Sequence, residues 1–303
     1  MAHVRWASET EDFFLIMNVN TEICKAFNDN ASRYEQAAIV QYEIGERLFE
    51  RLQYLKINPR FILDLGCGPG TFSARLKKYY PRAHVVGFDL AFGMLREAKA
   101  KQGWLKKWPL VAGNMMAMPF APGIFDLVFA NQVIHWSPTL SGVMSELSRV
   151  MNKEGCLMFS TLGPDTFREL RHSSLDSDKH AHANDFVDMH DIGDSLLSEH
   201  FLDPVVDMEM LTAHYETVPK LFQALKAQGV RNINPARNPG LTGTQSWRCF
   251  ERELSAFKTA QGKFPLTYEV LYGHAWKGEQ RRVEKGTETM ISVAELRKTF
   301  HKS

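Results

Sequence analysis

Between residues 60 and 162, short apolar runs of strand type alternate with stretches of helical spacing, and this restricts the chain to few folds. The strand-like runs are RFILDL, AHVVGFDL, WPLVAG, IFDLVFANQ and GCLMFSTL. Between them lie TFSARLKKYY, FGMLREAKAKQ and a helix carrying Leu140, Val143, Met144, Leu147, Val150 and Met151. Parallel strands need crossovers, and right-handed crossovers place helices on both faces of the sheet. The expectation is therefore an α/β fold of the Rossmann-like kind, with ligands at the carboxyl ends of the strands near the switch in strand order. Upstream, Ile44, Leu48, Leu52 and Leu55 predict an amphipathic helix over 35–56. Downstream, PVVDMEML reads as a sixth strand and LTYEVLYGHAW, with Tyr268, Val270 and Tyr272 alternating, as a seventh. Two helices separate them, one with Val218, Leu221, Phe222 and Leu225 on a face, the other with Trp247, Phe250, Leu254 and Phe257. Inserted at about 215–262, that pair is placed to roof the ligand end as a lid.

The loop DLGCGPGT follows the first strand directly. Gly66, Gly68 and Gly70 let the backbone turn sharply and let a ligand approach without meeting a Cβ, and the next helix offers unpaired N–H groups at its start. Taken alone, such a loop is also compatible with a tight strand-to-helix turn. The spacing is GxGxG, not the GxGxxG of dinucleotide folds, and Asp64 before it would repel a diphosphate. A cofactor bearing an ammonium group would welcome Asp64, and Asp89, ending the second strand, is placed to accept two hydrogen bonds from a ribose.

At 303 residues, one large domain with an insertion is expected: residues 21–303, preceded by a flexible extension over 1–20 in which Met17 is a candidate start. Lys and Arg number 36 against 35 Asp and Glu, so no global field favours nucleic acid or a membrane, and neither is expected as a partner. Cys24, Cys67, Cys156 and Cys249 lie far apart with no CxxC pair, which argues against zinc or a disulfide scaffold and for a reducing cytoplasm. No signal peptide and no window of eighteen apolar residues occurs.

LDLGCGPGTF, VVGFDLAFGML, GNMMAMPF and FDLVFANQVIHW together resemble the successive motifs of the seven-stranded S-adenosylmethionine-dependent methyltransferases. The resemblance implies a seven-stranded, mostly parallel sheet with an antiparallel last strand. It implies that the loop from Asp64 through Gly66, Cys67, Gly68 and Gly70 holds the methionine end of S-adenosylmethionine, and that Asp89, with Leu90 and Met94 beside it, holds the ribose. Gly113, Asn114 and Met115 would then hold the adenine, and Asn131 and Gln132 would lie near the sulfonium. The family often has Asp where this chain has Asn114, and an amide can still donate to and accept from adenine.

Further segments, AFNDNASRYEQAAIVQ, STLGPDTFRELR, FVDMHDIGDSLL, DPVVDMEMLTAHYE, NPGLTG and PLTYEVLYGHAW, resemble the malonyl-acyl-carrier-protein O-methyltransferases of biotin synthesis over nearly the whole chain after residue 20. That implies methylation of the free carboxylate of a malonyl thioester, opening the pimeloyl branch of biotin synthesis, with no metal. Two other functions stay open: a methyltransferase-like arginine hydroxylase or respiratory-complex assembly factor, and a methyltransferase for another small carboxylic acid. A carboxylate is already ionised at neutral pH, so no general base is required.

For the acceptor, Arg168 after the fifth strand either pairs with the carboxylate or is a surface arginine at a helix start. Tyr34 either closes over the site as part of a lid or packs. His135 and Trp136 either wall the sulfonium, through cation–π attraction, or pack as a satisfied His beside a buried Trp. His172, His180, His182 and His190 match no tight metal-ligand spacing and read as a solvated stretch. From Lys226 to Arg252 the chain carries Lys226, Arg231, Arg237, Arg248 and Arg252 against one acid, Glu251. Such a basic lid would steer an acidic acyl carrier protein bearing malonyl-phosphopantetheine, or else simply be solvated.

Overall fold

A computed structural model describes residues 5–103, 107–175, 186–229 and 243–278. Seven strands form one sheet: β1 (Phe61–Leu65), β2 (His84–Asp89), β3 (Leu110–Ala112), β4 (Phe125–Asn131), β5 (Met151–Leu162), β6 (Phe201–Tyr215) and β7 (Phe264–Lys277). Their order is β3-β2-β1-β4-β5-β7-β6. The pairs among β1 to β5 are parallel, while β7 enters antiparallel between β5 and β6. This is the seven-stranded architecture the motifs imply, and strand order reverses between β1 and β4, on either side of the glycine loop.

Helices fill both faces: α1 (Arg5–Ala37), α2 (Ile39–Arg51), α3 (Thr71–Tyr79), α4 (Phe92–Lys101), α5 (Leu140–Val150), α6 (Arg168–Leu175), α7 (Met189–Ser198), α8 (Val218–Ala227) and α9 (Thr244–Ser255). The period-2 alternation of the central strands sends neighbouring residues to opposite cores. Ile62 packs with Ile44 and Leu48 of α2 and with Phe72 and Leu76 of α3. Leu63 and Leu65 pack on the other side with Val143, Met144 and Leu147 of α5. As expected, α8 and α9 lie between β6 and β7; α8 packs on α1, and α9 on α6.

Two local readings change. The helix expected over 35–56 is two: α1 ends at Ala37, Ala38 breaks the regular geometry at φ −84 and ψ 41, and α2 follows. Helix α1 runs from Arg5 to Ala37. Met151, read as the last apolar residue of a helix, has an extended backbone and opens β5 opposite Phe125. Among the described residues, no helix is long and apolar enough to cross a membrane.

Candidate active site

The carboxyl ends of β1, β2 and β4 converge on the glycine loop. Gly66, Gly68 and Gly70 all have positive φ, at 68, 51 and 78 degrees, which is why the turn uses glycine. Their surroundings differ. A Cβ on Gly66 would stand 2.5 Å from Val133, and one on Gly70 would be 3.0 Å from Ala98. One on Gly68 would meet nothing within 4 Å, because Gly68 faces open space.

That space is a cleft of about 730 Å³ whose wall includes Gly66, Gly68, Asp89, Leu90, Met94, Gly113, Asn114, Met115, Asn131 and Gln132. Asp89 holds the loop to the end of β2: Oδ2 accepts from Gly68 N and Oδ1 from Ala91 N, each at 2.8 Å. Each oxygen keeps a lone pair for a ligand. Burial pushes the Asp89 carboxyl up to about 6, although the backbone donors oppose this. Asn114 turns its own loop by accepting from Met116 N at 2.9 Å, which leaves its amide nitrogen as the donor.

Two more cavities adjoin the cleft. One, about 520 Å³, is lined by Asp64, Gly66, Cys67, Gly68, Gln41 and Tyr34 among others. Here burial, reinforced by the charge of Asp89, pushes Asp64 up to about 7 even though Ser73 Oγ donates to it at 2.5 Å. The other, about 410 Å³, is walled by Phe27, Phe167, Phe186 and Trp136, with Gln41, Gln132, His135, Gln228 and Tyr268 as its polar groups. Tyr34 lines all three cavities, so they meet at its side chain. Burial raises the Tyr34 phenol, as does the nearby Asp89 charge, so it stays protonated at neutral pH.

Tyr34 reaches this place because α1 lies across the cleft; the sequence offered a lid position for Tyr34 but not the helix that carries it. Asn28 Oδ1 accepts from Gly93 N at 2.6 Å, meeting an open donor in the first turn of α4, and Cys24 Sγ donates to Leu90 O at 3.7 Å. Ile23, Cys24 and Phe27 thereby join the wall. Phe27 packs edge-on against Trp136, ring centres 5.3 Å apart. Burial drives the His135 imidazole down to about 3, so it is neutral, and its Nδ1 lies 3.4 Å from Thr161 Oγ1.

Of the residues expected at the site, Gly70 and Arg168 are not among the wall residues of these three cavities. Gly70 is instead the N-cap position of α3, packed against Ala98 and Trp108. The Arg168 side chain is 49% exposed, beside Glu169. Just before it, Phe167 N bonds to Thr267 O at 2.7 Å, and Phe167 lines the aromatic-walled cavity. Cys67 lines the Asp64 cavity, not the main cleft. Of the basic lid residues, Lys226, Arg248 and Arg252 are exposed, and Arg252 pairs with Glu253 at 3.0 Å. Arg231 and Arg237 lie outside the described residues, as do His180 and His182. His190 pairs with Asp188 and His172 with Arg168 O, each at 2.7 Å, and no potential metal-binding group of three or more His, Cys, Asp or Glu occurs among the described residues.

The family model described as a methyltransferase domain matches residues 63–159, which hold the glycine loop, Asp89, Asn114 and Gln132. A malonyl-[acyl-carrier protein] O-methyltransferase of Legionella pneumophila subsp. pneumophila is 62% identical over 280 residues, covering 92% of this chain and 99% of its own. One from Gallionella capsiferriformans is 41% identical over 264 residues, covering 85% of this chain and 90% of its own. Among solved structures, the YcgJ protein of Bacillus subtilis superposes with a TM-score of 0.55 at 14% identity, over 77% of this chain and 98% of that one; this shows a shared fold.

Proposed function

The chain belongs to the malonyl-[acyl-carrier protein] O-methyltransferase family, and we propose that it methylates the free carboxylate of a malonyl group carried by an acyl carrier protein, using S-adenosylmethionine. The observation that carries this reading is 62% identity to a protein of that name across 99% of its length. The product ester would enter biotin synthesis, masked so that its charge no longer bars chain elongation. We place the reaction in the cytoplasm, where the thiols of Cys24, Cys67, Cys156 and Cys249, none of them in a disulfide, stay reduced.

The residues present fit the cofactor. Gly68 offers a backbone without a Cβ to an open cleft, the free lone pairs of Asp89 suit a ribose diol, and the Asn114 amide suits an adenine edge. Leu90, Met94, Gly113 and Met115 would cover the adenosine, and Asp64 would favour the ammonium of the methionine end. When bound, S-adenosylmethionine supplies an electrophilic methyl group to the acceptor carboxylate, and no proton needs to move.

The protein's part is then positioning and exclusion of water. Phe27, Trp136, Phe167 and Phe186 make a largely apolar chamber next to the cofactor cleft. Tyr34 stands at the join as a protonated phenol that can donate to a carboxylate. The neutral His135 serves as wall and hydrogen-bonding group, not as a base. A carrier protein, which we take to be acidic, would approach the exposed Lys226, Arg248 and Arg252 of α8 and α9.

The deciding experiment offers labelled S-adenosylmethionine with malonyl-carrier protein, malonyl-coenzyme A and free malonate side by side. Base-labile label on the malonyl carrier is the expected result. Label on free malonate in preference to the carrier, or no label from a protein that binds the cofactor, would overturn the reading.

A further inference from the structure

Gln132 stands directly after β4 with φ at 54 degrees, a left-handed backbone that residues with a Cβ rarely adopt. The conformation is held from outside. Gln132 N donates to both the carbonyl and the hydroxyl of Ser160, each at 3.0 Å. Ser160 Oγ donates to Asn131 Oδ1 at 2.7 Å, and Asn131 Nδ2 donates to Gln41 O at 3.1 Å. This network, spanning α2, β4 and β5, keeps a strained residue where the cofactor cleft and the aromatic chamber share a wall.

At that wall Gln132 Nε2 is buried and makes no hydrogen bond within the protein. A buried donor without a partner is costly and points to a ligand atom that completes it. The reacting end of the cofactor is a sulfonium cation, which accepts nothing from an N–H. The other reactant is an anion with four lone-pair sites on its two oxygens. A neutral amide also suits this reaction better than a guanidinium, because the acceptor's negative charge disappears as the ester forms. A strong cationic clamp would hold the ground state more tightly than the transition state.

We propose that Gln132 Nε2 donates a hydrogen bond to one carboxylate oxygen of the malonyl group, holding the other toward the cofactor cleft; this rests on the malonyl-thioester reading above. The same donor sets specificity. An acetyl-loaded carrier would bury Nε2 with no partner, so the site rejects the unsubstituted acyl carriers that compete for the same surface.

The test uses the full chain loaded with S-adenosylhomocysteine and measures calorimetric binding of malonyl- and acetyl-carrier protein to wild type, Gln132→Leu and Gln132→Asn. Asparagine tolerates a left-handed backbone well but withdraws the amide by one methylene, so it separates the donor's position from folding. We expect wild type to prefer the malonyl carrier by about tenfold or more, and both variants to lose that preference while melting with wild type. Affinity for S-adenosylhomocysteine should stay within about twofold, while kcat/KM for the malonyl carrier drops about 10- to 100-fold. A parallel loss of S-adenosylhomocysteine affinity would make Gln132 a cofactor residue and overturn the proposal. So would an Asn variant that keeps the wild-type preference. Failure of wild type to methylate any malonyl carrier would instead strike the functional reading itself, independently of the binding preference.

Discussion

Each glycine of the loop meets a different demand, and the consequences separate experimentally. Gly68→Ala places a Cβ in open cleft space at φ 51, so the expected stability loss is the left-handed penalty alone, about 1–2 kcal/mol. The methyl intrudes on the cleft proposed for the cofactor, so calorimetry should show affinity for S-adenosylmethionine falling as well. Gly66→Ala adds a contact with Val133 at 2.5 Å to the same backbone penalty, and thermal melts should show the larger loss of stability. Asp64 makes a pH prediction. An unfolded aspartate ionises near about 4, whereas burial holds Asp64 protonated up to about 7 in the fold. Between those values the folded state binds more protons than the unfolded one, so stability falls as pH rises through the window. Denaturant melts without cofactor should show Asp64→Asn gaining on wild type between about pH 4 and about pH 8, with no further change above. A pH-independent difference would show that Asp64 ionises normally. The three glycines and both acids were legible in the sequence; which glycine faces the open cleft was not, because that depends on Val133, Ala98 and Trp108 arriving from elsewhere.

At the scale of elements, α1 is the piece the sequence reading failed to see. Its inward residues, Phe27, Ala31 and Tyr34, are mixed in size and polarity because they pack on α4 and border a cleft rather than entering a uniform core. The apolar periodicity that reveals α5 is therefore weak here. The helix is fastened by the Asn28–Gly93 bond to the first turn of α4, and α8 closes from the other side, with Gln228 accepting from Gln41 at 3.1 Å and donating to Ala37 O at 3.2 Å. Asn28→Ala removes a side chain that does the work of a helix cap, so melts should show a loss of about 1 kcal/mol. If α1 is a wall of the cofactor cleft, the same variant should also bind S-adenosylhomocysteine more weakly. Unchanged affinity would mean that α1 keeps its place without the bond. For Arg168 the sequence offered two readings, a carboxylate partner or a surface arginine at a helix start; its side chain is 49% exposed at the start of α6, beside Glu169.

For the whole molecule, near-neutral charge makes any electrostatic approach a local matter. Reversing two exposed lid residues, Lys226→Glu with Arg248→Glu, should raise KM for the malonyl carrier at low ionic strength and leave kcat nearly unchanged. The effect should shrink as salt is added, because exposed charges are screened over about 10 Å at ordinary ionic strength. Equal KM values at low salt would place docking elsewhere. The α/β class, the strand segments and the glycine–aspartate corner were legible in the sequence alone, while the antiparallel direction of the last strand came only from the family resemblance. Each of the first three rests on a pattern complete within a few residues: apolar alternation, helical spacing, or a turn only glycine can make. The meeting of three cavities at Tyr34, the strained placement of Gln132 and the exposure of Arg168 were decided only by tertiary structure. These depend on residues brought together across the chain, as when Gln41 meets Gln228 from 187 positions away, and no local pattern encodes such a contact.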